Sequence, residues 1–368
     1  HDIKTPMTVI LGYLEIMRLN GTQSNEMLQK IESTARRVMG LITQFFTLAK
    51  LEAGDIDMPL EQLKKYKGCS PKTHDFEEFW SSKINRIKGN KVEFEMIEAD
   101  FQLEGVICFN LIFKGEDGAN IYCKYVRPKK DGIYPTLFGF HGYHVDSGDW
   151  FDKASLANFG YNIFAMDVRG QGGKSEDNLS TKGSTLPGHI VKGVEEGPNN
   201  LFFTKVFCDT IYLVELAKSF SNVDINKMYS FGASQGGALS IACAALNKEI
   251  TKVFACYPFL SDYKRLFDIP FQMGAYGEIN QYFKFSDPFH EKEDKVFETL
   301  SYIYIQNFAE NMECKLTMFT GLMDEICAPS SQFAFYNKFK GDKKVIIYPQ
   351  HGHEWLPKFM DIVLMDIK

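Results

Sequence analysis

Nowhere in this chain do two cysteines form a C-x-x-C pair. Cys69, Cys108, Cys123, Cys208, Cys243, Cys256, Cys314 and Cys327 are scattered, several inside apolar strand-like runs, and read as reduced core thiols of a cytoplasmic protein. No apolar run approaches the ~18 residues needed to span a bilayer. A basic stripe is missing too. Short pairs such as Lys64-Lys65 and Lys129-Lys130 and a formal charge of -6 argue against a nucleic-acid partner, so partners are expected to be small and neutral. The sequence begins at His1 without a methionine or a signal sequence, which suggests a trimmed or engineered N-terminus. What is present is apolar bulk: 368 residues, 45% hydrophobic and 14% aromatic, enough for one large or two ordinary domains.

The most informative stretch runs from Tyr229 through Gly232-Ala233-Ser234-Gln235-Gly236-Gly237 to Ser240. An apolar strand leads into a serine flanked by glycines and then into a helix of small residues. The spacing G-x-S-x-G marks a strand-to-helix turn too tight for bulky flanking side chains. Such a turn lifts the Ser234 hydroxyl above the sheet edge at the positive end of a helix dipole. The Gln235 backbone N–H becomes a ready oxyanion donor.

Taken in order, the chain opens with His1-Asp2-Ile3-Lys4-Thr5-Pro6. Ile3, Met7, Ile10, Leu14 and Met17 are spaced four, three, four, three, a heptad seam. Asn20-Gly21 breaks it, and Met27, Ile31, Thr34, Val38, Leu41, Phe45 and Leu48 repeat the spacing as far as Gly54, which predicts an antiparallel two-helix hairpin. This segment resembles the dimerisation and phosphoacceptor hairpin of sensor histidine kinases. His-Asp-Ile-Lys-Thr-Pro is similar to the H-box and Leu48-Ala49-Lys50-Leu51-Glu52-Ala53-Gly54 to the end of its second helix. The resemblance implies that His1 is a phosphoryl acceptor, but no asparagine-bearing ATP-box or glycine-rich lid follows. The hairpin is therefore expected to pack or associate, joined to its neighbour by a natural or engineered fusion.

Composition changes at Asp57, giving expected domains of 1–55 and 57–368. A short helix is expected from Pro59 to a stop at Gly68, and a second starts at Asp75 with Glu78 as its capping partner and Phe76, Phe79, Trp80, Ile84 and Ile87 as its buried stripe. Residues 91–100 and 121–126 alternate like half-exposed antiparallel strands. The runs at 136–140, 161–166, 228–231, 253–257, 316–320 and 345–348 are continuously apolar, like strands buried on both faces, with helical stretches such as 210–220 and 238–246 between them. This is an α/β pattern with a mainly parallel sheet, whose ligands bind at the strands' carboxyl ends.

Those ends collect His141-Gly142-Tyr143, Asp167 to Gly172, Ser234, Asp324 and His353. A serine hydroxyl needs a histidine to take its proton, and the histidine needs a carboxylate to fix its tautomer. His351 also lies near the last strand as a possible base, and Asp262 is a competing acid. The order Ser234, Asp324, His353 is that of an α/β-hydrolase. Arg169-Gly170-Gln171, Gly232-Ala233-Ser234-Gln235-Gly236 and His353-Glu354 together resemble the R-G-Q, G-x-S-Q-G and H-E signatures of the acetyl xylan esterase and cephalosporin C deacetylase family. The opening helices, Pro59 to Gly68 and Asp75 to Trp80, are similar as well.

The resemblance implies a serine esterase that removes acetyl groups from small acetylated sugars and cephalosporin C-like esters without metal or cofactor. Ser234 would be the nucleophile, His353 the base and Asp324 the acid, with the oxyanion held by the backbone N–H groups of Tyr143 and Gln235. It also implies a homo-oligomer, typically a hexamer. Arg169, Gly170, Gln171 and Glu354 are expected to be structural, and His141, His144 and Trp150 to be satisfied or core residues near the pocket. Cys327-Ala328-Pro329 departs from the family's two prolines after cysteine. The competing readings are another α/β-hydrolase, such as a peptidase or longer-chain esterase, and a phosphorelay or dimerisation module led by the hairpin.

Overall fold

The computed structural model describes residues 57–182, 188–269 and 274–368. The expected hairpin of residues 1–55, with His1, lies outside the described residues. The chain divides into two compact units, His1–Asp57 and Met58–Lys368.

The second unit opens with a single helical turn, α1 (Leu60–Leu63). The expected continuation towards Gly68 does not form, and the Asn337 side-chain amide donates to the Leu63 and Tyr66 carbonyls where the helix stops. Helix α2 (Phe76–Ile87) buries Phe76, Trp80 and Ile87, as the stripe required. Asp75 stands at its N-cap without a side-chain cap bond; its carboxylate instead accepts from the Tyr302 hydroxyl.

Strands β1 (Phe94–Glu98), β2 (Val106–Lys114) and β3 (Asn120–Pro128) form an antiparallel edge. Then follow β4 (Tyr134–Phe140), α3 (Trp150–Asn158), β5 (Asn162–Met166), α4 (Phe202–Lys218), β6 (Val223–Ala233), α5 (Gln235–Leu246) and β7 (Ile250–Cys256). The chain continues through α6 (Tyr263–Asp268), α7 (Gly277–Phe285), α8 (Glu293–Leu300), β8 (Lys315–Gly321), α9 (Pro329–Lys338) and β9 (Lys343–Tyr348), and ends in α10 (Phe359–Ile367). The nine strands among the described residues join one sheet in the order β1-β2-β3-β5-β4-β6-β7-β8-β9. From β4 to β9 every pairing is parallel, and β3 meets β5 antiparallel.

Side chains alternate across this sheet into two cores. Phe138, Phe140, Phe164 and Met166 face α4 and α5 on one side, while Leu137, Ile163, Phe254 and Phe319 face α3 and α10 on the other. Three strands differ from their expected exposure, among them β9, whose 345–348 run is half-buried rather than buried on both faces because β9 is the far edge of the sheet. β3 is interior rather than half-exposed, since it lies between β2 and β5, with the Tyr125 ring stacked 5.6 Å from Phe109 and 4.4 Å from Phe164. β1 is exposed along its length because it is the edge. Seven cysteines are buried free thiols, but Cys69 is exposed, sitting in the loop after α1 where its amide reaches the Asp262 carboxylate. Among the described residues no helix is long and apolar enough to cross a membrane.

Candidate active site

The turn between β6 and α5 places Ser234 at φ 58°, ψ -120°, a conformation that a non-glycine residue adopts only when its surroundings hold it there. Those surroundings are backbone. The Ser234 N–H donates to the Cys256 carbonyl at 2.9 Å, and the Ser234 carbonyl accepts from the amides of Ala238 and Phe259 at 3.1 Å. The flanking glycines are sterically required: a Cβ on Gly232 would lie 2.6 Å from the Phe140 carbonyl oxygen, and one on Gly236 would fall on that same atom. With a side chain at either position, β6 could not run this close to β4.

The Ser234 hydroxyl lies 3.0 Å from His353 Nε2, and His353 Nδ1 lies 2.9 Å from Asp324 Oδ2. An ionised carboxylate can only accept, so Nδ1 carries the proton and Nε2 is left as acceptor for the serine. Asp324 is oriented in turn by the Ile326 and Cys327 amides, which donate to its Oδ1 at 2.9 and 2.8 Å. Its side chain is 0% exposed, against 22% for His353, so the relay runs from a dry carboxylate to a histidine that solvent reaches. The imidazole packs on Tyr257, ring centroids 4.5 Å apart.

The alternatives lie elsewhere. His351 Nδ1 is 3.0 Å from the exposed Glu354 carboxylate. Asp262 is buried against the loop after α1 and accepts from the Tyr66 hydroxyl at 2.5 Å and from the Cys69 amide. Ala328 keeps φ -48°, ψ 134°, the region a proline would occupy, so the loop after Cys327 holds its course without the second proline.

The peptide bond joining Gly142 to Tyr143 follows β4, the sheet neighbour of β6. Its carbonyl oxygen accepts from His141 Nδ1 at 2.7 Å and from Gln235 Nε2 at 3.3 Å. His141 Nε2 accepts from the Val168 amide at 2.8 Å, so this histidine is buried and satisfied at both nitrogens, and burial lowers its pKa. A trans peptide points its N–H away from its C=O. Fixing the Gly142 oxygen therefore aims the Tyr143 N–H the other way. The Gln235 N–H, first in α5, has no acceptor within its own helix.

The R-G-Q residues work from beneath. Gln171 and Gln235 exchange side-chain amide bonds at 2.8 and 3.0 Å, and Gln171 Oε1 also accepts from the His144 amide at 2.9 Å. The two motifs thus clamp the 142–144 loop between them. Gly170 sits at φ 59°, with a built Cβ only 2.8 Å from that of Asp177. The fully buried Arg169 donates from Nε and Nη2 to Asp209 at 2.8 and 2.7 Å, and from Nη2 to the Glu116 carbonyl at 3.0 Å. This fork ties the loop after β5 to α4 and touches no part of the relay. Trp150, at the start of α3, packs against the second core, and His144 is exposed with its ring 4.0 Å from Tyr143.

Several residues near the site carry no signal in the sequence. Asp209 is one of two acids, with Glu215, in the largely apolar helix α4. Tyr257 ends an apolar run. Glu278 is 5% exposed at the second position of α7, where its Oε1 accepts from the Tyr143 hydroxyl and its Oε2 from the Ile190 amide at 2.8 Å. Burial pushes the Glu278 carboxyl up to about 7 and the His189 imidazole down to about 4. Among the described residues, no group of three or more His, Cys, Asp or Glu side chains is gathered to hold a metal ion.

Residues 54–366 match the acetyl xylan esterase (AXE1) family, and residues 1–54 match the His Kinase A phospho-acceptor domain. Among solved structures the chain is similar to acetyl xylan esterase 1 from a Thermoanaerobacterium species, with 41% identity and TM-score 0.82, covering 85% of this chain and 98% of that one. An acetyl xylan esterase from a Paenibacillus species follows with 32% identity and TM-score 0.80, covering 84% and 99%. Acetyl esterase Axe7A of Xylanibacter ruminicola is 24% identical over 319 residues, 82% of this chain and 71% of that protein. With the α/β-hydrolase sheet, the serine turn and these matches in hand, the chain belongs to the acetyl xylan esterase family and is a serine hydrolase of carboxylic esters.

Proposed function

We propose that Ser234, His353 and Asp324 form the catalytic triad of a deacetylase acting on small acetylated saccharides, such as xylo-oligosaccharides, and on related acetyl esters of the cephalosporin C type. The observation that carries this reading is the continuous relay from Asp324 through His353 to Ser234, at 2.9 and 3.0 Å. Ser234 Oγ attacks the acetyl carbonyl carbon while His353 Nε2 takes its proton. The C=O electron pair moves onto oxygen, which the Tyr143 and Gln235 backbone N–H groups receive. Collapse expels the sugar oxygen, which leaves with the proton from His353. Water, deprotonated by the same nitrogen, then attacks acetyl-Ser234 and releases acetate.

The proposal extends to assembly. The likeness to acetyl xylan esterases supports a homo-oligomer, a hexamer on the family's pattern, with residues 1–55 as an added association element. Sites facing a shared interior would admit small substrates and exclude polymer. Acetate release from acetylated xylo-oligosaccharides should therefore exceed both release from polymeric acetylated xylan and hydrolysis of a decanoyl ester, by roughly tenfold or more in kcat/KM, or about 1.4 kcal/mol. Faster hydrolysis of the decanoyl ester, or equal rates on polymer and oligomer, would overturn the substrate reading while leaving the triad intact.

A further inference from the structure

Tyr143 matters above for its backbone, yet its side chain is tightly bonded as well. The hydroxyl donates to Glu278 Oε1 and accepts from the His189 amide at 2.6 Å. The other oxygen of Glu278 holds the Ile190 amide, so one carboxyl ties α7, the 188–190 segment and the Tyr143 ring together. The approach is close: Gly188, at φ 117°, passes where any Cβ would collide with the Glu278 carboxyl. The Tyr143 ring is walled by Phe259 at 5.4 Å and by His189 edge-on at 5.7 Å.

We propose that Glu278 is a positioning residue for the hydrolysis: through the Tyr143 hydroxyl it fixes the Cα of Tyr143, and with it the N–H aimed at the oxyanion. The inference rests on the triad reading above. The Gly142–Tyr143 peptide is held at its carbonyl by His141 and Gln235, and the backbone just beyond it by Gln171 through the His144 amide. Those bonds grip the loop on either side of the Tyr143 Cα, and the phenol anchored on Glu278 adds a third hold at the residue that carries the N–H. A donor aimed at a developing oxyanion acts mainly in the transition state, so loosening it lowers kcat more than it raises KM.

The test compares Tyr143→Phe, Glu278→Ala, Glu278→Gln and the double variant Tyr143→Phe/Glu278→Ala, using a soluble acetyl ester. The first two should each lower kcat about 10- to 100-fold, within the loss known for a whole oxyanion donor, and leave KM within about threefold. Glu278→Gln, which keeps an acceptor for the phenol, should recover part of the loss. The double variant should be no worse than the poorer single one, because the pair acts as a unit. Inhibition by methylboronic acid, which places an oxygen in the oxyanion site, should weaken in step with kcat. Circular dichroism checks folding, and if Glu278→Ala does not fold, the comparison of Tyr143→Phe with Glu278→Gln still decides. Unchanged kcat in Tyr143→Phe, or losses that multiply in the double variant, would overturn the inference. Activity surviving in Ser234→Ala would instead overturn the triad reading on which it rests.

Discussion

Ser234→Ala should abolish acetate release almost completely, lowering kcat by on the order of 10⁴- to 10⁶-fold, and should leave the thermal midpoint within about 2 °C of wild type. The loss is large because the hydroxyl is the only atom removed and is the one facing His353 Nε2. The fold should survive because the turn is held by backbone, through the Cys256 carbonyl and the amides of Ala238 and Phe259, and by the narrow glycines on either side. Alanine at φ 58° meets the same backbone strain as serine, so little changes between folded and unfolded states. Measuring kcat alongside thermal unfolding decides it: near-normal turnover in a folded variant would remove Ser234 from the chemistry.

The two histidines of His351-Gly352-His353 should separate sharply. His353→Ala should lose on the order of 10⁴-fold in kcat, since it leaves the serine without a base and the buried Asp324 carboxylate facing a void. His351→Ala should stay within about threefold, because His351 is bonded to an exposed glutamate and its loss unpairs nothing buried. Steady-state kinetics on the two variants settles the assignment, and the reverse ranking would move the base to His351.

The parallel strands and the serine turn were legible because each is written locally. Strands buried on both faces read as unbroken apolar runs, and G-x-S-x-G records a steric requirement that Gly232 and Gly236 meet against a single carbonyl, that of Phe140. Asp324 and His353 were legible by motif, from the turn after β8 and the H-E pair. Strand β2 was not read, although Val106 to Lys114 is mostly apolar. Asp209 and Glu278 were invisible for a different reason. Each answers to a partner far away in sequence, 40 positions between Arg169 and Asp209 and 135 between Tyr143 and Glu278, and periodicity records which face a residue takes rather than whom it meets. Asp75 does mark the start of α2, but its carboxylate makes no cap bond, because a tyrosine 227 positions on claims it.

The cluster behind the oxyanion loop also has a consequence for protons. An unfolded chain at pH 5.5 carries Glu278 ionised and His189 protonated, from ordinary values of 4.5 and 6.5. In the folded chain the carboxyl sits at about 7 and the imidazole at about 4, so both groups are neutral at that pH. Folding in effect moves one proton from the histidine to the glutamate. The raised carboxyl contributes stability that is whole below 4.5 and is lost as pH climbs through about 7. The lowered imidazole contributes stability that is whole above 6.5 and is lost as pH falls through about 4. Between 4.5 and 6.5 the two slopes oppose, and net proton uptake by this pair is close to zero. Tyr143 and Tyr263 face the carboxyl, and His144, Lys192 and Asp177 face the imidazole. Replacing the glutamate unmasks the histidine: thermal midpoints of Glu278→Gln should rise from pH 4.5 to 6.5 more steeply than those of wild type. Parallel curves would mean that the two groups do not exchange a proton on folding. The wall behind the Tyr143 ring is thus uncharged across the mildly acidic range, although it is built from an acid and a base.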